Sequence, residues 1–257
     1  MHPGVALLAL RIIAGFCCLG LWQALSILAS PEWVSPPLLV LQRMLRWLLD
    51  GTLWPHILMT IQEAFWGFAL GIVLGVGLPF LLRRHPLASE VLGPLMVGGY
   101  GMPKLALAPI FILWFGVGML SKVAVVFSIV FFLVFFNTTA GIQGVNPNLI
   151  KVARIMGARE DHIVRHVLWP SAVPYIFTGL KISVPYAIAG AVIGELISAD
   201  RGIGYFIEYA TNEFDTAGVF VGLIVLSLLI VIMNQVVKVV EAKLLSWRVE
   251  EREIIGM

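Results

Sequence analysis

Few side chains in this sequence are placed to do chemistry on a substrate. His162 and His166 lie four apart, a spacing that puts two imidazoles on one helical face and so forms part of a metal site, but no third ligand accompanies them. A membrane-embedded enzyme would need a nucleophile, a metal set or an acid–base pair gathered at one depth, and the five histidines do not supply one. The Gly-rich phosphate loop that ends in Lys and Ser or Thr is also missing, so the chain is expected to hydrolyse nothing and to hold no cofactor or metal itself. The remaining polar residues suit two other kinds of work. Lys104, directly after Gly98-Gly99-Tyr100-Gly101-Met102-Pro103, and Thr178, Lys181, Ser183 and Ser198 offer a cation or hydroxyl that suits an anion; Lys104 also fits, and fits better, a lysine whose stem lies in apolar surroundings and whose ammonium reaches the interface. Glu195 either lines an outer gate or caps the segment that follows it.

The elements that must carry these residues follow from composition. Of 257 residues, 60% are hydrophobic and 12% charged, against about a quarter charged in a soluble domain. The class is therefore all-α and polytopic, with about six transmembrane helices of about 20 apolar residues each. Residues 5–29 form a first span, too long for a signal-peptide core of about 7–15 residues and not preceded by Lys or Arg. Cys17 and Cys18 inside it read as small packing residues. An amphipathic surface helix follows, with Leu38, Leu39, Leu41, Met44, Leu45, Leu48 and Leu49 interleaved with Arg43, Arg46 and Asp50. Further spans are expected over 57–82, 87–117 (interrupted at 98–103), 123–141, 173–197 and 217–240. Gly67, Gly71, Gly75 and Gly77 fall on or near one face of the second, where small residues let helices approach closely. The aromatic stretch Phe131, Phe132, Phe135 and Phe136 reads as packing and lipid contact.

Positive residues accumulate on the cytoplasmic side of a membrane protein. With the N-terminus inside, the inner loops and tail hold Arg83, Arg84, Lys151, Arg154, Arg159, Arg165, Lys238, Lys243, Arg248 and Arg252, against Arg43, Arg46, Lys122 and Arg201 outside. Both termini are thus expected in the cytoplasm. An ion-driven secondary transporter would bury charged residues at mid-membrane and show inverted repeats, and neither stands out.

The polar stretch 143–169 has helical periodicity. Leu149, Val152, Ala153 and Met156 share one face while Lys151, Arg154 and Arg159 project elsewhere, Gly157 permits a turn, and Ile163, Val164, Val167 and Leu168 restart an apolar face ahead of Pro170 and Pro174. A helix-turn-helix of this kind on a membrane protein's inner surface suits docking into another protein's groove.

This stretch resembles the signature loop of bacterial binding-protein-dependent importer permeases, which reads Glu-Ala-Ala, three residues, Gly, nine residues, Ile, one residue, Leu-Pro. Ala153, Gly157 and Pro170 match outright, and Lys151, Val152, Val167 and Trp169 stand where the motif has other residues, Lys151 in place of its acidic one. The resemblance runs from about Trp33 onward. Met102-Pro103-Lys104-Leu105-Ala106-Leu107-Ala108-Pro109, Trp114-Phe115-Gly116-Val117-Gly118, Pro174-Tyr175-Ile176-Phe177-Thr178-Gly179-Leu180-Lys181, Glu195-Leu196-Ile197-Ser198-Ala199 and Gly202-Ile203-Gly204-Tyr205 are similar to the subgroup that imports sulfonates, taurine, nitrate or bicarbonate, along with some vitamin-precursor relatives.

What that resemblance implies is a type I ABC importer permease fold in a single transmembrane domain over 1–257, in the bacterial inner membrane. Its implied partners are a second permease copy, two ATP-binding-cassette ATPase subunits that bind ATP and Mg, an extracytoplasmic solute-binding protein and membrane lipid, with no nucleic acid. Lys151, Val152, Ala153, Arg154, Gly157, Ala158, Val167 and Pro170 would couple the permease to the ATPase. Lys104, Thr178, Lys181, Glu195 and Ser198 are the pathway candidates, and 202–205 would turn into a short segment dipping toward the pathway. The implied solute is small and anionic, a sulfonate, taurine, nitrate or similar; a vitamin or vitamin precursor on the same scaffold is the alternative.

Overall fold

Helices account for all regular structure in a computed structural model that describes residues 3–30 and 32–245; Arg248 and Arg252, counted above in the tail, lie outside the described residues. In order these are α1 (Pro3–Leu28), α2 (Pro37–Leu49), α3 (Trp54–Arg84), α4 (Pro86–Gly101), a 3-10 turn (Lys104–Leu107), α5 (Ala108–Phe115), α6 (Met119–Gln143), α7 (Pro147–Ile155), α8 (Glu160–Ile163), a π-helical turn (Val164–Leu168), α9 (Trp169–Ile197), α10 (Ile203–Asn212) and α11 (Thr216–Leu244). Five helical segments are long and apolar enough to cross a membrane, and the bent pair α4–α5 makes a sixth if it counts as one span.

The bend is sharper and narrower than the sequence suggests. Gly98 to Gly101 stay helical, and the chain turns by 90° at Met102 and Pro103. A residue before proline is pushed into extended backbone, and Met102 obliges at φ −68°, ψ 136°. A second departure concerns α9, expected to begin afresh near Val173. The helical path instead runs without a break from Glu160 to Ile197. Proline lacks an N–H and its ring crowds the carbonyl four residues earlier; the wider π turn just ahead of Trp169 and Pro170 absorbs that conflict.

The centre of the bundle is α6, held between α3 and α9. Lipid chains are as apolar as leucine, so helices in a membrane associate through close van der Waals fit. Gly67, Gly71 and Gly75 of α3 form the fit on one side: a Cβ at Gly71 would stand 2.7 Å from Val130 Cγ1, one at Gly75 2.9 Å from Val134 Cβ, and one at Gly67 would strike Val126. Gly77 does not belong to the stripe, for nothing lies within 4 Å of a Cβ there. On the opposite side a Cβ at Gly179 of α9 would meet Asn137 Cβ at 2.9 Å, and one at Gly190 would meet Ile129 Cδ1 at 3.0 Å.

Peripheral elements hang on this trio. α11 packs on α9 and α10, and α2 reaches it through the Arg43–Asp215 ion pair. α1 is attached mainly at one end, where Trp22 donates its indole N–H to the Ser35 carbonyl at 3.1 Å and stacks on Phe220. Most of its length, including Cys17 and Cys18, faces outward.

Replacing Gly71 by Leu should force α3 and α6 apart. Overpacking of this kind costs about 1–3 kcal/mol, so the solubilised variant should melt several degrees below the parent, whereas Gly77→Leu should melt with it. Thermal unfolding of the two variants side by side checks the assignment of the seam.

Candidate functional site

The connection between α6 and α9 carries its own small core. Asn146 caps α7 by accepting the Asn148 N–H on its side-chain oxygen at 2.9 Å, and Pro147 occupies the first helical position, where no donor is needed. A nine-residue helix is too short to hold by itself. It is held because Ile150 and Ala153 turn inward onto Val145, Ile163 and Leu168. The other side faces out: Leu149 is 56% exposed, Val152 54%, Ile155 85% and Met156 82%.

Gly157 ends the helix with φ +86°, a left-handed conformation that favours glycine. The Ala158 N–H then bonds the Ala153 carbonyl and the Gly157 N–H the Arg154 carbonyl, both at 3.0 Å, which closes the exposed carbonyls of the last turn. Charged pairs fix the segment to the rest of the molecule. Arg154 Nε donates to Glu160 Oε1 at 3.1 Å, Arg83 from the last turn of α3 lies 3.7 Å from the other Glu160 oxygen, and Arg84 pairs with Asp161. Exposed pairs contribute about 0–1 kcal/mol each, so their main effect is to set where α7 and α8 sit against the end of α3.

The residues singled out by sequence divide cleanly here. Val152, Ala153, Val167 and Pro170 come together, with Leu149, Met156, His166 and Ser171, around a surface groove of about 430 Å³ between α7 and the start of α9. Ala158 lies in an adjoining hollow with Ala153 and Met156, Arg154 is engaged by Glu160, Gly157 makes the turn, and Lys151 is exposed. Periodicity alone does not reveal Ile155, because its exposure depends on where α7 stops. Nor does it reveal the Glu160 and Asp161 pairing with Arg83 and Arg84, which spans two loops. Among the described residues no group of three His, Cys, Asp or Glu could hold a metal ion. His162 and His166 stack edge to face, ring centroids 6.0 Å apart.

The candidate pathway residues are not gathered in one place. Lys104 sits at the α4–α5 bend, its ammonium bonded to the Tyr100 carbonyl and lying 5.0 Å from the centre of the Tyr100 ring and 4.9 Å from that of Phe132. Thr178 is exposed and bonds back to the Pro174 carbonyl at 3.0 Å, and Ser183 is buried and bonds back to Gly179 at 2.7 Å. Lys181 is paired with Glu241 of α11 at 2.9 Å. Glu195 and Ser198, at the far end of α9, lie about 21 Å or more from Lys181 along the axis at 1.5 Å per residue.

Glu195 exposes none of its surface, so in this structure it lines no open gate. Its carboxylate accepts the Thr60 hydroxyl and the Gly204 N–H, both at 2.6 Å, and thereby seats the 202–205 turn that begins α10. Lys122 corrects the sequence reading more sharply. It is not an outer-loop cation but is 2% exposed inside the bundle, with its ammonium 3.7 Å from the carboxylate of Glu63, also wholly buried. The impression that the spans bury no charge is therefore wrong. The signal available was Glu63 itself, an ionisable residue in the middle of an apolar run.

Comparison with known proteins gives a consistent result. The family described as "Binding-protein-dependent transport system inner membrane component" matches residues 67–246. The formylaminopyrimidine transport permease protein ThiX of Halalkalibacterium halodurans is 34% identical over 229 residues, 89% of this chain and 91% of its own length. The riboflavin transport system permease protein RibX of Chloroflexus aurantiacus is 34% identical, covering 88% and 85%. The aliphatic sulfonates transport permease protein SsuC of Bacillus subtilis, named as putative, is 32% identical, covering 90% and 84%. Among solved structures, an inward-facing MetNI methionine ABC transporter aligns with a TM-score of 0.56 at 19% identity, over 76% of this chain and 97% of that one; the likeness is one of fold.

Gly157 offers a local test of the geometry. No atom lies within 4 Å of a Cβ there, so only the backbone angle is at stake. Gly157→Val should cost about 1–3 kcal/mol and raise amide exchange across 147–163 by about tenfold or more, whereas Gly157→Asn, which tolerates the left-handed region, should stay close to the parent. Hydrogen exchange of the three proteins measures the difference.

Proposed function

We propose, from the premise that this chain belongs to the family of binding-protein-dependent transport system inner membrane components, that it forms the translocation path of an ATP-driven importer and takes its driving force through α7. The chain is a multi-pass permease of the type I ABC importer fold, and its relatives are transport permeases. One observation carries the finer reading: α7 presents Leu149, Val152, Ile155 and Met156 outward on a helix whose inner face is locked to α8 and the π turn leading into α9, and whose flank is tied through Glu160 to α3. Such a knob is shaped to enter a cleft in a separate ATPase subunit on the cytoplasmic side. Only contacts that differ between the open and closed states of that partner can shift this chain's conformational equilibrium. A rigid α7 passes the shift to two transmembrane helices at once.

On this reading both termini are cytoplasmic, a second copy of the chain completes the path, and ATP and Mg are held by two partner ATPases. An extracytoplasmic binding protein delivers the solute to the end of the bundle that carries α2 and α10. A small anionic solute such as a sulfonate is supported by the cation at the α4–α5 bend and by SsuC among the relatives. A flat heteroaromatic vitamin precursor is supported by a different observation: Lys104 is already engaged, Tyr100 packs 4.9 Å from Phe136, and ThiX and RibX have such solutes in their names.

Met156→Asp places a charge where docking would desolvate it while leaving an exposed position of the free chain undisturbed. Purified from its host in mild detergent, the parent should bring down an ATPase in fixed stoichiometry, and the variant should recover it at least about tenfold less, about 1.4 kcal/mol or more of lost affinity. A parent that purifies without any ATPase and transports in vesicles on an ion gradient alone would overturn the importer reading. Calorimetric titration of the co-purifying binding protein with sulfonates and with pyrimidines and flavins decides between the solute classes.

A further inference from the structure

Inside the bundle, near the end where α3 begins, three ionisable side chains meet. Glu63 of α3 and Glu195 of α9 are fully buried and Lys122 of α6 is 2% exposed. They are the only Asp, Glu, Lys or Arg among the buried polar and charged residues, within the described part of the chain. Two carboxylates and one ammonium, all ionised, leave one uncompensated negative charge in a buried interior, which costs several kcal/mol or more. Such a site must recruit a positive charge or give one up.

The hydrogen bonds say where the balance falls. Glu195 is well supplied, accepting from Thr60 Oγ1 and from the Gly204 N–H, and it faces the N-terminus of α10, whose partial positive charge favours an anion. Thr60 Oγ1 in turn accepts the Ile203 N–H at 2.9 Å, so these donors are held from both sides. Glu63 has nothing comparable. Neither of its carboxyl oxygens has a hydrogen-bond partner, and its one charged contact is Lys122 at 3.7 Å, beyond hydrogen-bonding range. Thr60, one turn before Glu63 on α3, reaches Glu195, and Lys122, which faces Glu63, packs against Gly194 of α9, so the two carboxyls belong to one cluster. An acid in this position is satisfied if it carries a hydrogen and donates it to the neighbouring carboxylate.

We propose that Glu63 and Glu195 hold one proton between them, on Glu63 and donated toward Glu195, so that with Lys122 they form a neutral bolt joining α3, α6, α9 and the start of α10. The proton comes from solvent as the chain folds, and it changes the cluster's charge from −1 to 0. Lys122 is held rigidly, since a Cβ at Gly194 would lie 2.7 Å from its Cγ. Around this cluster stand Lys122 from α6, which also donates to the Gly118 carbonyl at 3.3 Å, Thr60 one turn before Glu63 on α3, Glu195 from α9, and the N–H groups of Ile203 and Gly204, which bond Thr60 and Glu195. His56, bonded to Gly202 with Arg201 nearby, lies further toward the helix end. This inference stands on the packing of one chain and does not depend on the proposed function.

The full chain in lipid nanodiscs is examined by infrared spectroscopy and by thermal melting. The parent should keep an un-ionised carboxyl stretch at about pH 7, where exposed Asp and Glu are fully ionised, and Glu63→Gln should lose it. Because the folded chain holds a proton that the unfolded chain releases, stability falls as pH rises. Above about pH 6 the parent's melting temperature should therefore drop by about 3 °C per pH unit more than that of Glu63→Gln. At pH 6 the variant should melt within about 2 °C of the parent, since Gln reproduces a protonated acid. Glu63→Gln with Glu195→Gln should melt far lower, because the buried Lys122 then has no anion beside it. Absence of the carboxyl stretch from the parent overturns the proposal whether or not any variant folds. So does a parent melting temperature that depends on sodium concentration instead of pH, which would make the compensating charge a metal ion.

Discussion

Everything in this fold depends on how closely α6 can lie against its two neighbours. In lipid no hydrophobic drive pushes helices together, and close contact has to be built from small residues. Here the ridge Val126, Val130 and Val134 enters a trough cut by Gly67, Gly71 and Gly75, while Gly179, Gly190 and Gly194 of α9 take the opposite flank. Each glycine is a site where a methyl group would collide with its neighbour, and the stripes hold three successive turns in register. A shift of one residue would set Val against a larger neighbour, so the seam specifies register as well as proximity.

That closeness makes the buried charges tolerable. Lys122 reaches Glu63 only because α3 and α9 both press on α6 at its first turns, and Glu195 meets Thr60 only because α9 and α3 approach one another there. The same packing operates at the other end of the bundle. α6 runs almost directly into α7, and the helical path that becomes α9 starts at Glu160, so the loop between them is an extension of two tightly packed helices. Arg83 and Arg84 add α3. A push on α7 thus meets all three members of the trio.

The spans were legible because the bilayer restricts both length and structure: about 20 apolar residues in a helix leave a mark that composition alone reveals. The apolar face of α7 was legible for the same reason, a period of 3.6 with glycine to stop it. What stayed hidden depends on neighbours far away in sequence. Lys122 borders an apolar run and reads as a loop residue until α3 is known to supply Glu63. The pairing of Lys181 with Glu241 is equally invisible until α11 is seen to lie against α9. Gly77 reads as part of a stripe that helical geometry ends at Gly75. The extent of α9 was obscured by Pro170 and Pro174, which look like boundaries in one dimension but are accommodated by a π turn in three.

The placement of the charged cluster has a consequence for motion. A rigid body that tilts in a membrane must keep its internal contacts while its outer surfaces exchange partners. Apolar contacts alone resist sliding weakly, since one aliphatic neighbour is much like another. A buried ammonium beside a carboxyl group is different, because a slip of one residue would leave buried charge unpaired at a cost of several kcal/mol. Such a cluster belongs where α3, α6, α9 and α10 must move as one unit, and it lies at the end of the bundle opposite α7. The trio is therefore pinned by charge at one end and by the small core around Val145, Ile163 and Leu168 at the other. Any motion received by α7 has to be expressed between this unit and whatever packs against its outer faces, not within it.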